Sequence, residues 1–154
     1  MITFLDLPDE GATASLAARI AALARSGDII ALKGDLGTGK SSFARSFIRA
    51  TCNRDEDVPS PTFTLVQVYQ RDPTAIWHFD LYRLRSPEEA WELDIEEAFS
   101  TSISLIEWPE RLGALLPERR LQVALAYGDQ LGARRAFLDP GTGWQARLAA
   151  MANA

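Results

Sequence analysis

The chain has 154 residues, 47% of them hydrophobic and 24% charged, with a formal net charge of −5. That length and apolar content suit one globular domain over residues 1–154, and no run approaches the ~18 apolar residues that cross a bilayer, so the expectation is a cytoplasmic protein without membrane contact. The acidic balance, with a pI near 4.9, excludes broad electrostatic capture of a nucleic-acid backbone, which needs a positive face.

Between Glu10 and Arg25 the residues Leu16, Ala17, Ile20, Ala21 and Leu23 fall near helical spacing, with Thr13 and Ser15 as start signals. The run Asp28–Lys33 after Gly27 predicts a buried strand ending at Gly34. A helix follows over Ser41–Thr51, on which Arg45 and Arg49 read as a solvated face in preference to an RNA-binding patch. Cys52, the single cysteine, cannot form an internal disulfide and reads as apolar filler; no histidine cluster offers a zinc site. Pro59 and Pro61 interrupt regular structure. Two strands are then predicted, Phe63–Tyr69 and Ile76–Tyr82, joined by a turn at Arg71-Asp72-Pro73.

Ser86-Pro-Glu-Glu89 combines a cap, an N1 proline and early acids, and predicts a helix to about Phe99. Ile103–Ile106 reads as a short strand and Pro109 as the start of a helical turn. Leu121, Val123, Leu125 and Tyr127 alternate as a strand that pairs with Arg134–Leu138, and a closing helix begins near Gly143. Strands mix with helices throughout and nothing repeats, which predicts a three-layer α/β domain.

The most informative segment is Gly34-Asp35-Leu36-Gly37-Thr38-Gly39-Lys40-Ser41, which satisfies G-x-x-x-x-G-K-[ST] between a predicted strand and a predicted helix. Its glycines let backbone N–H groups turn inward towards phosphate oxygens. The helix start supplies a positive dipole end, Lys40 an ammonium for the β and γ phosphates, and Ser41 a hydroxyl for Mg²⁺. Thr38 and Ser42 add further donors. The pattern makes the domain P-loop NTPase-like, with a central mostly parallel sheet and an antiparallel C-terminal strand pair, and implies ATP with Mg²⁺ as ligands.

A metal held by phosphates and Ser41 also needs a carboxylate at the end of a neighbouring strand. Asp80 follows Ile76-Trp-His-Phe79 and Glu107 follows Ile103-Ser-Leu-Ile106, so both acids qualify and the residues alone do not rank them. His78, the only histidine, lies inside a strand with no visible nucleophile and reads as packing. Trp108 reads equally as a cover for the metal site or as core. Asp129-Gln-Leu-Gly132 imitates a GTPase element, but it stands late in the chain without a guanine-reading motif, and is taken as coincidence.

These blocks resemble the TsaE (YjeE) family of bacterial tRNA threonylcarbamoyladenosine biosynthesis proteins across almost the whole chain. The resemblance rests on Gly34–Phe43, on Ser60-Pro-Thr-Phe-Thr-Leu65, on His78-Phe-Asp-Leu-Tyr-Arg-Leu84 and on Ile106-Glu-Trp-Pro-Glu-Arg111, in that order. The segments Leu7–Glu10 and Thr13 resemble the family's N-terminal region. It implies a slow or partner-dependent ATPase that acts with TsaB and TsaD in modifying adenosine 37 of tRNA, with tRNA met through the complex. By the same resemblance Ser41 and Glu107 hold Mg²⁺, Asp80 positions the attacking water, Thr62 senses the γ-phosphate region, and Glu10 with Thr13 lie near the nucleoside.

Two departures stand out. Ser41-Ser42 replaces the family's usual threonine pair, retaining the metal-binding hydroxyl, and Trp91-Glu-Leu-Asp94 replaces a more common Glu/Leu-Gly pattern. The rival readings are a small-molecule P-loop kinase, for which no arginine-rich lid is visible, and a nucleotide-binding adaptor without turnover, which the two acids argue against.

Overall fold

Four consecutive apolar residues, Ile29-Ile-Ala-Leu32, cannot all face one side of a strand, so β2 (Ile29–Lys33) is buried on both faces and occupies the centre of a sheet. The computed structural model describes residues 2–52, 57–70 and 74–152. Around β2 lie β1 (Thr3–Leu7), β3 (Val66–Tyr69), β4 (Ile76–Asp80), β5 (Ile103–Glu107), β6 (Leu121–Tyr127) and β7 (Arg134–Asp139). They form one seven-stranded sheet in the order β1-β7-β6-β2-β5-β4-β3. The pairings β6–β2, β2–β5 and β5–β4 are parallel, while β1–β7, β6–β7 and β3–β4 are antiparallel. The sheet is therefore parallel through its centre and antiparallel at both margins, and the expected β6–β7 pair is one of those margins.

Alternation along the central strands separates two apolar clusters. Ile30, Leu32, Ile103 and Leu105 pack with Leu16 and Ile20 of α1 (Glu10–Leu23), Phe43 and Phe47 of α2 (Lys40–Thr51) and Leu148 of α4 (Gln145–Ala152). Ile29, Phe79 and Ile106 pack with Ala90 from the 3₁₀ segment Pro87–Leu93, Ile95 and Ala98 of α3 (Ile95–Thr101), and Leu112 from the 3₁₀ segment Pro109–Leu115. Helical segments thus cover both faces. Burial of each large side chain contributes about 1.5–3 kcal/mol against its exposed state, which fixes the central strands and their carboxyl ends.

Several boundaries differ from the sequence reading for physical reasons. α1 starts at Glu10 as the spacing predicts, but its cap is Asp9, which accepts from the Ala12 N–H at 2.8 Å, in place of the start signals Thr13 and Ser15. The expected 86–99 helix is broken by Asp94, which adopts left-handed backbone angles (φ 58, ψ 38) between the 3₁₀ segment and α3. β3 begins at Val66 because Leu65 has φ 68 and its N–H bonds the Pro61 carbonyl at 2.7 Å, so Phe63–Leu65 belong to a turn. β4 ends at Asp80, whose Oδ1 accepts from the Tyr82 N–H at 3.1 Å and curls the chain. β1 lies outside the strands that the sequence pattern predicts. The predicted Arg71-Asp72-Pro73 turn lies outside the described residues.

Candidate functional site

The four parallel strands end side by side at Lys33, Asp80, Glu107 and Tyr127, and open α/β sheets bind ligands at that carboxyl edge. After β2 the chain passes into the glycine-rich loop. Gly34 has φ +147, and a Cβ there would lie 2.5 Å from both the Leu125 carbonyl oxygen and Thr38 Oγ1, so only glycine fits. Gly39 at φ 105 caps α2 in a left-handed conformation, which turns the loop into the helix start. The Thr38 hydroxyl donates to the Asp35 carbonyl at 2.7 Å and tightens the loop.

Lys40, the first residue of α2, folds back over this loop. Its Nζ donates to the carbonyls of Gly34 at 2.5 Å and Asp35 at 2.9 Å and lies 4.3 Å from the Trp108 ring centroid. Burial lowers the ammonium pKa, while Glu107, Glu110, Asp80 and Asp35 oppose that shift. Trp108 adopts φ 59, ψ 50 directly after Glu107. Its ring also lies tilted against Tyr82, with centroids 5.0 Å apart, so it is a half-buried wall of the site as well as a packing group.

Beside Lys40, the Ser41 hydroxyl donates to Glu107 Oε1 at 2.9 Å, and Glu107 Oε2 bonds His78 Nε2 at 2.7 Å. The Ser41–Glu107 spacing is close to the ~2.9 Å between neighbouring oxygens on an octahedral Mg²⁺ with bonds of about 2.0–2.1 Å, so the two side chains fit that ion. Among the described residues no three His, Cys, Asp or Glu side chains gather as a metal cluster. Phosphate oxygens and water would complete the shell. Asp80, the register partner of Glu107, faces the same edge, and the Thr62 hydroxyl reaches its Oδ2 at 3.3 Å. Burial raises the Asp80 carboxyl above its ordinary range, with the Tyr82 N–H opposing and the Glu107 charge adding to the rise.

On the other side of the loop a cleft of about 320 Å³ is lined by Pro8, Asp9, Glu10, Thr13, Gly37, Gly39, Ser42, Leu131, Gly132 and Arg134. Ser42 donates to Glu10 Oε1 at 3.4 Å. The loop's outer carbonyls are held from β6 and β7: Tyr127 donates to the Leu36 carbonyl at 2.6 Å, and Arg134 Nη2 to the Gly37 carbonyl at 3.1 Å. Tyr127 and Arg134 are register partners, and the guanidinium lies 4.9 Å from the tyrosine ring centroid.

Residues 7–136 match the family described as "Threonylcarbamoyl adenosine biosynthesis protein TsaE". The chain belongs to the TsaE family. A Rickettsia bellii protein named "tRNA threonylcarbamoyladenosine biosynthesis protein TsaE" is 44% identical over 119 residues, covering 77% of this chain and 83% of that one. A Nostoc protein of the same name is 33% identical over 144 residues, covering 90% and 86%. The crystal structure of Bacillus subtilis YdiB superposes with a TM-score of 0.79 over 99% of this chain and 95% of that one; at 22% identity that likeness concerns the fold.

Within this TsaE-family fold the sequence-predicted residues divide into two groups. Lys40, Ser41, Asp80, Glu107 and Thr62 converge on the strand-end side of the loop, whereas Glu10, Thr13, Gly37, Gly39 and Ser42 line the cleft. Asp35 supplies a carbonyl to Lys40, and Leu36 projects outward at 62% exposure. His78, read as packing, also bonds Glu107, a contact that shows only once β4 is seen beside β5. Tyr127 and Arg134 carried no local motif; only the pairing of β6 with β7 brings them to the loop.

Proposed function

We propose that this TsaE-family chain binds ATP with Mg²⁺ at residues 34–42 and hydrolyses it slowly, in support of tRNA N6-threonylcarbamoyladenosine biosynthesis with TsaB and TsaD. Its α/β architecture is read as a three-layer, P-loop NTPase-like domain, and tRNA is met through the complex. The observation that carries the reading is the Ser41 Oγ to Glu107 Oε1 contact of 2.9 Å beside Lys40, at the ends of parallel strands.

In this reading the glycine-rich loop presents its N–H groups to the phosphates, and Lys40 exchanges the Gly34 and Asp35 carbonyls for phosphate oxygens. Ser41 and Glu107 hold Mg²⁺, which when bound offsets the charge on the β and γ oxygens. Asp80 accepts a hydrogen bond from the attacking water and orients it, and Thr62, already linked to Asp80, responds to the γ-phosphate. Glu10 and Thr13 bound the nucleoside side.

Calorimetric titration with ATP·Mg²⁺, combined with phosphate release and reconstituted tRNA modification with and without this chain, tests the proposal. Lys40→Ala is expected to weaken ATP binding by about 2–3 kcal/mol, roughly 30- to 150-fold, through loss of a charged hydrogen-bond donor. Unchanged affinity in a folded Lys40→Ala protein would remove the phosphate site from the proposal.

A further inference from the structure

His78 is buried to 1% exposure in the middle of β4, and its Nε2 lies 2.7 Å from Glu107 Oε2. An ionised carboxylate only accepts, so the bond requires the proton on Nε2. The opposite nitrogen, Nδ1, is buried with no hydrogen-bond partner among the described residues. A half-satisfied imidazole is an expensive way to fill a core position, since a buried polar atom left unpaired destabilises the fold and an apolar side chain would avoid that cost. What the imidazole does provide is an anchor. With Oε2 tied to His78 and Oε1 facing the Ser41 hydroxyl at 2.9 Å, both oxygens of Glu107 are assigned and its carboxylate plane is fixed.

The register explains why the anchor comes from this strand. β4 and β5 run parallel with Asp80 opposite Glu107, and His78 lies two residues before Asp80 on the same face. It can therefore reach Glu107 from beneath while Asp80 keeps the rim. Without that donor, Oε2 would be a buried, unpaired acceptor, and Glu107 would gain freedom to turn away from Ser41.

We propose that His78 is a positioning residue that aims Glu107 at the cation bound with ATP, an inference that rests on the nucleotide-binding reading above. Outer partners of metal-ligating carboxylates typically change metal affinity by about 10- to 100-fold. His78→Leu should therefore lower the Mg²⁺-dependent part of ATP affinity by that factor while leaving affinity measured in excess chelator unchanged. His78→Gln, whose side-chain amide offers a replacement donor, should recover most of the loss.

Calorimetry on tag-free wild type, His78→Leu and His78→Gln, with and without Mg²⁺, gives the first readout. Because the chain has a single histidine, the imidazole ¹⁵N resonances give a second without assignment of other signals. They should report an Nε2-protonated ring, and they should move both on adding ATP·Mg²⁺ and in Glu107→Ala. A folded His78→Leu protein with the full Mg²⁺-dependent gain overturns the inference. If His78→Leu does not fold, resonances indifferent to Glu107→Ala and to ATP·Mg²⁺ overturn it equally. A wild type that gains no affinity from Mg²⁺ defeats the nucleotide reading and this inference together, whereas normal wild-type behaviour beside unaffected His78 variants defeats this inference alone.

Discussion

Asp80 sits where the requirements of folding and of the proposed chemistry pull in opposite directions. Burial pushes its carboxyl above the ordinary 3.8, with the Tyr82 N–H opposing. A folded-state value above the unfolded one means that the charged form costs stability at neutral pH. That cost is relieved as pH falls through the folded value towards the unfolded one. Asp80→Asn keeps the shape and an acceptor for Tyr82, so it should raise the melting temperature of the nucleotide-free protein at pH 7. The gain should disappear in acid, below the unfolded carboxyl value. Hydrolysis should fall about 100-fold or more, the usual scale for losing a proton-accepting group. Thermal melts across pH, paired with single-turnover phosphate release, check both halves; a destabilised Asp80→Asn at pH 7 would contradict the sign. The identities of Lys40, Ser41, Asp80 and Glu107 were legible because each sits at a motif position or at a strand end. His78 was not, because its role depends on which strand lies beside β4.

Among the elements, the β6–β7 pair does more than close the sheet, since Tyr127 and Arg134 donate to the Leu36 and Gly37 carbonyls and brace the glycine-rich loop from outside. Tyr127→Phe keeps the ring beneath Arg134 and removes one hydrogen bond, worth about 0.5–1.5 kcal/mol. ATP affinity should drop by roughly 2- to 10-fold beside a fall of a few degrees in melting temperature, and calorimetry showing wild-type affinity would exclude the brace. The break before α3 makes a different point. Asp94 stands at left-handed angles with no side-chain cap bond. Asp94→Gly should stabilise the chain by about 0.5–1 kcal/mol, because glycine adopts this conformation without a Cβ clash; chemical denaturation measures it. Strands β2, β5, β6 and β7 could be read in advance because their apolar runs or alternation are local signals. β1 could not: burial alternates over Thr3–Leu7, but an exposed Phe4 breaks the matching apolar–polar alternation in the sequence, and its partner β7 lies more than 120 residues away. The helix expected over 86–99 failed at one backbone conformation that periodicity does not report.

At the scale of the whole molecule, fast phosphoryl-transfer sites commonly contain an arginine directed at the transferring group. Two arginines follow the acids in sequence, but the fold uses both on aromatic rings at the rim. The Arg83 guanidinium lies 4.8 Å from the Phe63 ring centroid, and that of Arg111 lies 5.9 Å from Tyr82. Phe63 itself is 82% exposed in the turn that carries Thr62, and Thr62 is joined to Asp80 by a long hydrogen bond of 3.3 Å. A partner that covers Phe63 would therefore act on the segment that positions Thr62, and could free Arg83 or supply a cation of its own. The isolated chain should hydrolyse ATP slowly, and the proposed TsaB–TsaD pair should accelerate it; an arginine supplied in this way is worth about 10³–10⁵ in other phosphoryl-transfer enzymes, which sets the upper range. Phe63→Ala should leave ATP affinity of the isolated chain within about 2-fold, since an exposed ring outside the nucleotide contacts carries little binding energy, but it should reduce the partner-dependent acceleration. Steady-state hydrolysis by wild type and Phe63→Ala, each alone and with purified partners, separates these effects. Equal rates with and without partners, alongside normal tRNA modification, would leave the nucleotide site standing and eliminate partner-coupled turnover.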